Sequence, residues 1–161
     1  MDLVSTFAVP GYLNFEINVD VKLDSKPLGE GGTAQVYQAT FMNPKLIEIA
    51  KSTTGIVKLI QMDSSKAVSL KGDDVFYEIA VMNSLGYHRN IVQFLGYMEN
   101  PLAVIMKRYF QDLKAALQIP AFGSSMCICY NVALDVARGM SYMHSKGVLH
   151  LDLKPRKGCF T

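Results

Sequence analysis

Two hydrophobic periods divide the chain. In the first half, apolar residues recur at alternate positions or in short runs, which predicts strands. Val19 and Val21 alternate with polar neighbours, and Leu28 leads into a cluster of glycines. Ala34 to Phe41 reads as the next strand, so a glycine-tipped hairpin is predicted. Asn43-Pro44 breaks it, Lys45 to Gly55 reads as a loose segment, and Ile56, Val57, Leu59 and Ile60 form a further apolar strand. Polar residues from Asp63 to Ser69 read as a linker. The period then changes. Asp73 and Asp74 suit a helix N-terminus, Val75, Ile79, Met82 and Leu85 follow at helical spacing, and Gly86 is a stop.

Ile91 to Tyr97 and Leu102 to Met106 read as two more strands around Asn100-Pro101. Beyond them the pattern is helical. Asp112 to Leu117 predicts a short helix, and Ser124 or Ser125 can cap a longer one. Its apolar stripe is Val132, Ala133, Val136, Ala137, Met140 and Met143, with Gly147 as the C-terminal cap. Five strands and one helix, followed by helices, predict an α+β fold.

Composition narrows the function classes. A length of 161 residues is about one domain, and 50% hydrophobic with 19% charged residues excludes a disordered chain. A net charge of +2 gives no reason to expect nucleic acid or an anionic membrane as partner. Residues 1–80 carry a net −3 and residues 81–161 a net +5, a skew that suits an anionic ligand but also an ordinary surface. Cys127, Cys129 and Cys159 form no Cys-x-x-Cys pair, which fits reduced thiols in a cytoplasmic protein. Met1 to Gly11 does not read as a secretory leader. The uncharged run Ala115 to Leu134 holds Gln118, Pro120, Gly123 and Asn131, which argues against a spanning helix.

Three clusters carry candidate chemistry. The first is Leu28-Gly29-Glu30-Gly31-Gly32-Thr33-Ala34-Gln35-Val36, a tight turn whose N–H groups can lie over phosphates where no side chain holds the backbone away. A flexible hairpin turn without a ligand explains it equally well. A dinucleotide fold would need a helix directly after the glycines, and Ala34 to Phe41 reads as a strand. The second cluster is Lys58, inside an apolar strand, with Glu78 on the following helix. An edge-strand lysine that reaches solvent is one reading. A buried one needs a carboxylate or phosphate partner. The third is His150-Leu151-Asp152-Leu153-Lys154-Pro155, where an acid and a cation two apart form either a surface ion pair or a base with a phosphate clamp.

Taken in order, the glycine turn, Lys58, Glu78, His88-Arg89-Asn90-Ile91-Val92 and His150 to Pro155 resemble the protein kinase family over roughly Leu23 to Arg156. Asp152-Leu153-Lys154-Pro155 looks more like the serine/threonine and tyrosine-kinase-like groups than true tyrosine kinases. The resemblance implies a lead over residues 1–22, a small lobe over 23–108 with a five-stranded antiparallel sheet and one helix, and the first helices of an incomplete large lobe over 109–161. It implies ATP as ligand, Mg²⁺ as the family's metal, and a protein substrate. Leu28 would contact ATP, Gly29 to Val36 would cover it, and Val36 would touch adenine. Lys58 would hold the α- and β-phosphates, with Glu78 fixing its ammonium. Met106 resembles the gatekeeper, and Lys107, Arg108 and Tyr109 the hinge that hydrogen-bonds adenine. Asp152 would accept the substrate hydroxyl's proton, Lys154 would neutralise charge on the moving phosphoryl group, and His150 would be a packing residue.

Departures from the family pattern are equally informative. Ala34 stands for the third glycine. Gly55-Ile56-Val57-Lys58 stands where Val-Ala-x-Lys is usual, so Ile56 would press on adenine. Leu151 replaces the arginine that answers an activation-loop phosphate. Lys157 stands where a metal-ligating asparagine is expected, and no Asp-Phe-Gly follows before Thr161. A cation facing Mg²⁺ costs several kcal/mol if poorly solvated. The expectation is a chain with no useful phosphotransfer of its own and with none of the family's metal ligands. Three readings stay open, namely a kinase cut short, a short pseudokinase that binds nucleotide or a partner, and a degenerate product. The long helix would also lack cover for its stripe. Each of its four larger apolar residues left exposed forfeits roughly 1.5–3 kcal/mol, so self-association is expected.

Overall fold

A computed structural model describes residues 9–61, 72–155 and 159–160. The linker expected at 63–69 and the position of Lys157 lie outside them. The fold is α+β. It holds an antiparallel sheet built from β1 (Val21–Leu23), β2 (Gly29–Glu30), β3 (Ala34–Phe41), β4 (Thr54–Ile60), β5 (Phe94–Glu99) and β6 (Leu102–Lys107). The strand order is β1-β3-β4-β6-β5, with β2 also on β3.

The first of the five expected strands is therefore split in two. Val21 pairs with Phe41 and Gly29 with Val36, so β1 and β2 are consecutive pieces along one partner. Pro27 lies between them and has no N–H for the ladder. The Asp24 N–H to the Gln38 carbonyl (2.9 Å) and the Leu28 N–H to the Val36 carbonyl (2.7 Å) keep the pieces in line.

Two expectations are corrected. Lys45 to Gly55 is not a loose segment, because Pro44–Ala50 forms helix α1. Asn43 caps it, its side chain accepting from the N–H groups of Lys45 (2.9 Å) and Leu46 (3.4 Å), and Pro44 occupies the first turn. The Asn-Pro pair that ends one strand also starts a helix. The strand expected from Ile91 begins instead at Phe94. Before it, the Ile91 N–H turns back to the His88 carbonyl (3.0 Å) and the Asn90 N–H to His88 Nδ1 (3.2 Å).

Residues up to Gly86 together with Gln93–Arg108 form one compact unit, and Tyr87–Val92 with the residues from Tyr109 onward form another. In the first, α2 (Gly72–Leu85) buries Val75, Ile79, Ala80 and Leu85, close to the face predicted for it. In the second, β7 (Gln111–Asp112) pairs with β8 (Cys159–Phe160), and three helices follow β7. They are α3 (Leu113–Leu117), α4 (Pro120–Gly123) and α5 (Met126–Ser145). Asp112 caps α3 through the Ala115 N–H (2.7 Å), and Ser125 caps α5 through the Ile128 N–H (3.4 Å). Gly147, at φ +73°, closes α5 in the left-handed conformation that glycine adopts without strain. Gly139 is the one buried residue in α5, with the Asn90 carbonyl against it, and the His88 and Tyr142 rings stack at 4.3 Å. Among the described residues no helix is long and apolar enough to cross a membrane.

Alternation along β4 sends successive residues to two separate cores. Val57 and Leu59 face one shared with Val21, Phe41, Leu46, Leu95 and Ile105, the back core. Ile60 faces the other, the front core, with Val75, Ile79, Tyr97 and Val104. Gly55 also points to the back. A Cβ there would collide with the Phe41 ring and lie 2.9 Å from the Met106 carbonyl oxygen. Phe41 fills the space that a larger residue at 55 would occupy. We expect Gly55→Val to destabilise the first unit by at least about 1–3 kcal/mol, as overpacking does. Chemical denaturation checks this, and a second change, Phe41→Ala, should restore part of the loss.

Candidate functional site

The glycine turn sits between β2 and β3. The register Gly29 to Val36 and Glu30 to Gln35 brings the hairpin to its tip, and the Gly31 N–H donates to the Ala34 carbonyl (2.8 Å). The Gln61 N–H donates to the Thr33 carbonyl (3.0 Å), which ties the far end of the turn to the end of β4. Leu28 is exposed, and Ala34 is buried in the front core. A Cβ at Gly29 or Gly32 would meet no atom within 4 Å. Internal packing therefore does not require glycine at either place, and a close-approaching ligand is what glycine there would serve.

A brace on the opposite face of β3 went unseen in the sequence. Gln35 Nε2 donates to Glu30 Oε1 and the Tyr37 hydroxyl to Gln35 Oε1, both at 2.9 Å. The hairpin register was the signal for it, since Gln35 lies opposite Glu30 and shares a face with Tyr37.

Lys58 is placed by β4, opposite Val36 on one neighbour and Val104 on the other. Its ammonium reaches Glu78 Oε1 on α2 at 2.6 Å, so the partner that the sequence could only suggest is present. The side chains stay 29% and 42% exposed, so solvent screens the pair. Two residues before Lys58 and on the same face, Ile56 lies opposite Gln38 and Met106. The glycine turn, Val36, Lys58, Glu78, Ile56 and Met106 thus belong to one unit, with Lys107 ending β6 and Arg108 next to it. The Lys107 N–H donates to the Gln93 carbonyl (3.0 Å), so that donor is already committed. Tyr109 belongs to the second unit.

The His150 to Pro155 cluster lies wholly in the second unit. Leu151 has φ +53°, which costs a bulky L-residue roughly 1–2 kcal/mol. The turn this makes lets the Asp152 N–H donate back to the His150 carbonyl (2.7 Å). Lys154 Nζ then meets Asp152 Oδ2 at 2.9 Å, both side chains half exposed. Asp152 and Lys154 are brought together, while the sequence left open whether they form a surface pair or an acid–cation couple for chemistry.

Comparison with known proteins decides the family. A model described as "Protein kinase domain" matches residues 23–157. The chain belongs to the protein kinase family. It is 31% identical to fibroblast growth factor receptor 1 of Xenopus laevis over 176 residues, covering 95% of this chain and 21% of that protein. It is 30% identical to a probable serine/threonine-protein kinase of Dictyostelium discoideum over 148 residues, covering 88% of this chain and 33% of that protein. The chain thus spans only a fifth to a third of these relatives. ATP and Mg²⁺ belong to the kinase family's chemistry. Among the described residues, however, no group of three or more His, Cys, Asp or Glu side chains comes together that could hold a metal ion.

Screening makes one quantitative expectation. Glu78→Ala should change the unfolding free energy by no more than about 1 kcal/mol, because exposed ion pairs contribute little. Thermal and chemical denaturation check this, and a larger loss would mean that the pair holds the fold rather than a position.

Proposed function

We propose that the first unit binds ATP as a kinase small lobe does. Glycine-turn residues Gly29 to Ala34 would lie over the phosphates, and Lys58 would hold the α- and β-phosphates with Glu78 as its anchor. Leu28 and Val36 would flank the adenine, and Lys107 to Tyr109 would form the hinge. At family level the activity is ATP-dependent phosphorylation of protein hydroxyls, of serine or threonine by the Asp152-Leu153-Lys154-Pro155 pattern. Asp152 would be the base and Lys154 the cation that steadies the transferring group. The observation that carries this reading is the 2.6 Å contact between Lys58 and Glu78, on the unit whose glycine turn demands no glycine for its own packing. A cytoplasmic setting goes with it.

The 161-residue chain alone is proposed to be catalytically silent, because phosphoryl transfer depends on metal-assisted charge neutralisation. A non-catalytic binding module is the second reading, favoured by the exposure of Phe76 and Tyr77 on the same helix as Glu78. Calorimetry with ATP, with and without Mg²⁺, tests binding. Lys58→Met should weaken it at least about tenfold, the loss of one charge-assisted hydrogen bond. No heat at high protein concentration would remove the nucleotide reading. Turnover above a Lys58→Met control in a phosphotransfer assay would overturn catalytic silence.

Self-association is proposed for the same chain. Ala133 and Ala137 are exposed on α5, and Val132, Val136, Met140 and Met143 are half-buried. Light scattering should show species larger than a monomer. A monomer that binds no apolar dye would count against it.

A further inference from the structure

The segment from Val9 to Ile17 does more than cover a strand. Pro10 leads into a single 3-10 turn over Gly11–Leu13, closed by the Leu13 N–H to the Pro10 carbonyl (3.0 Å) and the Asn14 N–H to the Gly11 carbonyl (3.1 Å). The chain then runs along β5, the last strand in the sheet order. Asn14 bridges Tyr97 in parallel, and the Phe15 N–H donates to the Tyr97 carbonyl at 2.9 Å. An edge that would otherwise present unpaired backbone groups is partly covered.

The crossing is made at Gly96. A Cβ there would lie 2.5 Å from Phe15 Cε2 and 2.6 Å from the Leu13 carbonyl oxygen. The β5–β6 register also shifts between Phe94 and Gly96, which marks a bulge where the segment passes. Its two anchors fall in different cores. Phe15, 4% exposed, belongs to the back core with Leu95 and Ile105. Leu13, 9% exposed, belongs to the front core with Tyr97 and with Val75 and Ile79 of α2. Tyr97 in turn meets Phe76 edge to face, with ring centroids 6.5 Å apart. Val75, Phe76 and Ile79 flank Glu78 within one helical turn.

The segment is also held from its other side. Lys45 of α1 lies over the Tyr12 ring at 4.2 Å. Asp20 accepts from the Glu16 N–H (2.8 Å) through one carboxylate oxygen and from Asn43 Nδ2 (2.7 Å) through the other. The segment is therefore pinned to α1, to the β5 edge and to the core beneath α2.

We propose that residues 9–17 are a strap that sets the position of α2, with Leu13 and Phe15 as positioning residues that let Glu78 reach Lys58. Its importance for nucleotide rests on the reading of that ion pair as the phosphate anchor. Glu78 sits on a helix whose buried side shares the front core with Leu13 and Tyr97, so loosening the strap frees the helix before it disturbs β3 or β4.

Hydrogen exchange read by mass spectrometry on the full chain tests the strap, and ATP calorimetry on the same proteins tests its link to nucleotide. Leu13→Ala should speed exchange of the α2 amides roughly tenfold or more, with β3 and β4 changed less than about twofold. Gly96→Ala, which displaces the strap without removing an apolar side chain, should reproduce that pattern. It also keeps the test decisive should Leu13→Ala fail to fold. In a Glu78→Ala background, Leu13→Ala should weaken ATP no further. A uniform rise across the sheet and α2, or an unchanged α2, overturns the strap. A rise confined to α2 in a protein that gives no ATP heat keeps the strap and sinks the nucleotide reading.

Discussion

Everything in the first unit depends on the alternation of β4. A strand in mid-sheet has a residue period of two, so it serves two cores and cannot favour one without disturbing the other. Val57 and Leu59 are committed to the back core, whereas Lys58 and Ile60 face the front. A slip of one residue would bury the lysine ammonium among Val21, Phe41 and Ile105 and leave Val57 beside Glu78. Burying an unpaired ammonium costs far more than any surface contact returns. The two cores therefore fix the register, and the register fixes the lysine.

The Lys58–Glu78 contact is short yet half open to water, a combination that separates position from stability. Its net contribution to folding is small because the partners remain solvated. The apolar side of α2 holds the helix instead, through Val75 and Ile79, which are fully buried. Burying two such side chains contributes roughly 3–6 kcal/mol, more than an exposed ion pair can. The helix is thus placed by packing, and the carboxylate is carried along with it. Tyr97 belongs to the same packing, and burial, with Glu99 adding, raises its hydroxyl above the usual tyrosine value.

Residues 55 and 56 show how a departure from a family pattern has a local cause. Where kinases resembling this one usually have a larger residue and then alanine before the lysine, this chain has glycine and then isoleucine. The two positions lie on opposite faces of β4. Phe41 occupies the back-face space beside Gly55, while Ile56 on the front lies opposite Met106. Bulk has moved from one face of the strand to the other. The back face accommodates the exchange because the Phe41 ring fills the space beside Gly55, in the core that also buries Leu46 and Ala50 of α1.

Local rules in the sequence determined the elements. A short apolar run marked β4, the stretch after the glycine turn marked β3, helical spacing marked the buried side of α2, and Asp112, Ser125 and Gly147 marked helix ends, because each depends on neighbours a few residues away. The candidate site residues, by contrast, were proposed from their order along the whole chain, through the resemblance to protein kinases, and not from any local rule. What tertiary structure alone decided were the contacts between distant segments. Asn43-Pro44 reads as a break until the back face offers Leu46 and Ala50 somewhere to pack. Ile91 reads as strand until His88 to Asn90 turn back and the Asn90 carbonyl settles on Gly139. The lead around Phe15 carries no motif, and its role depends on a gap at Gly96, 81 positions along the chain. Short apolar runs satisfy helix, strand and strap alike, and which of these forms is settled by the surface available to bury them.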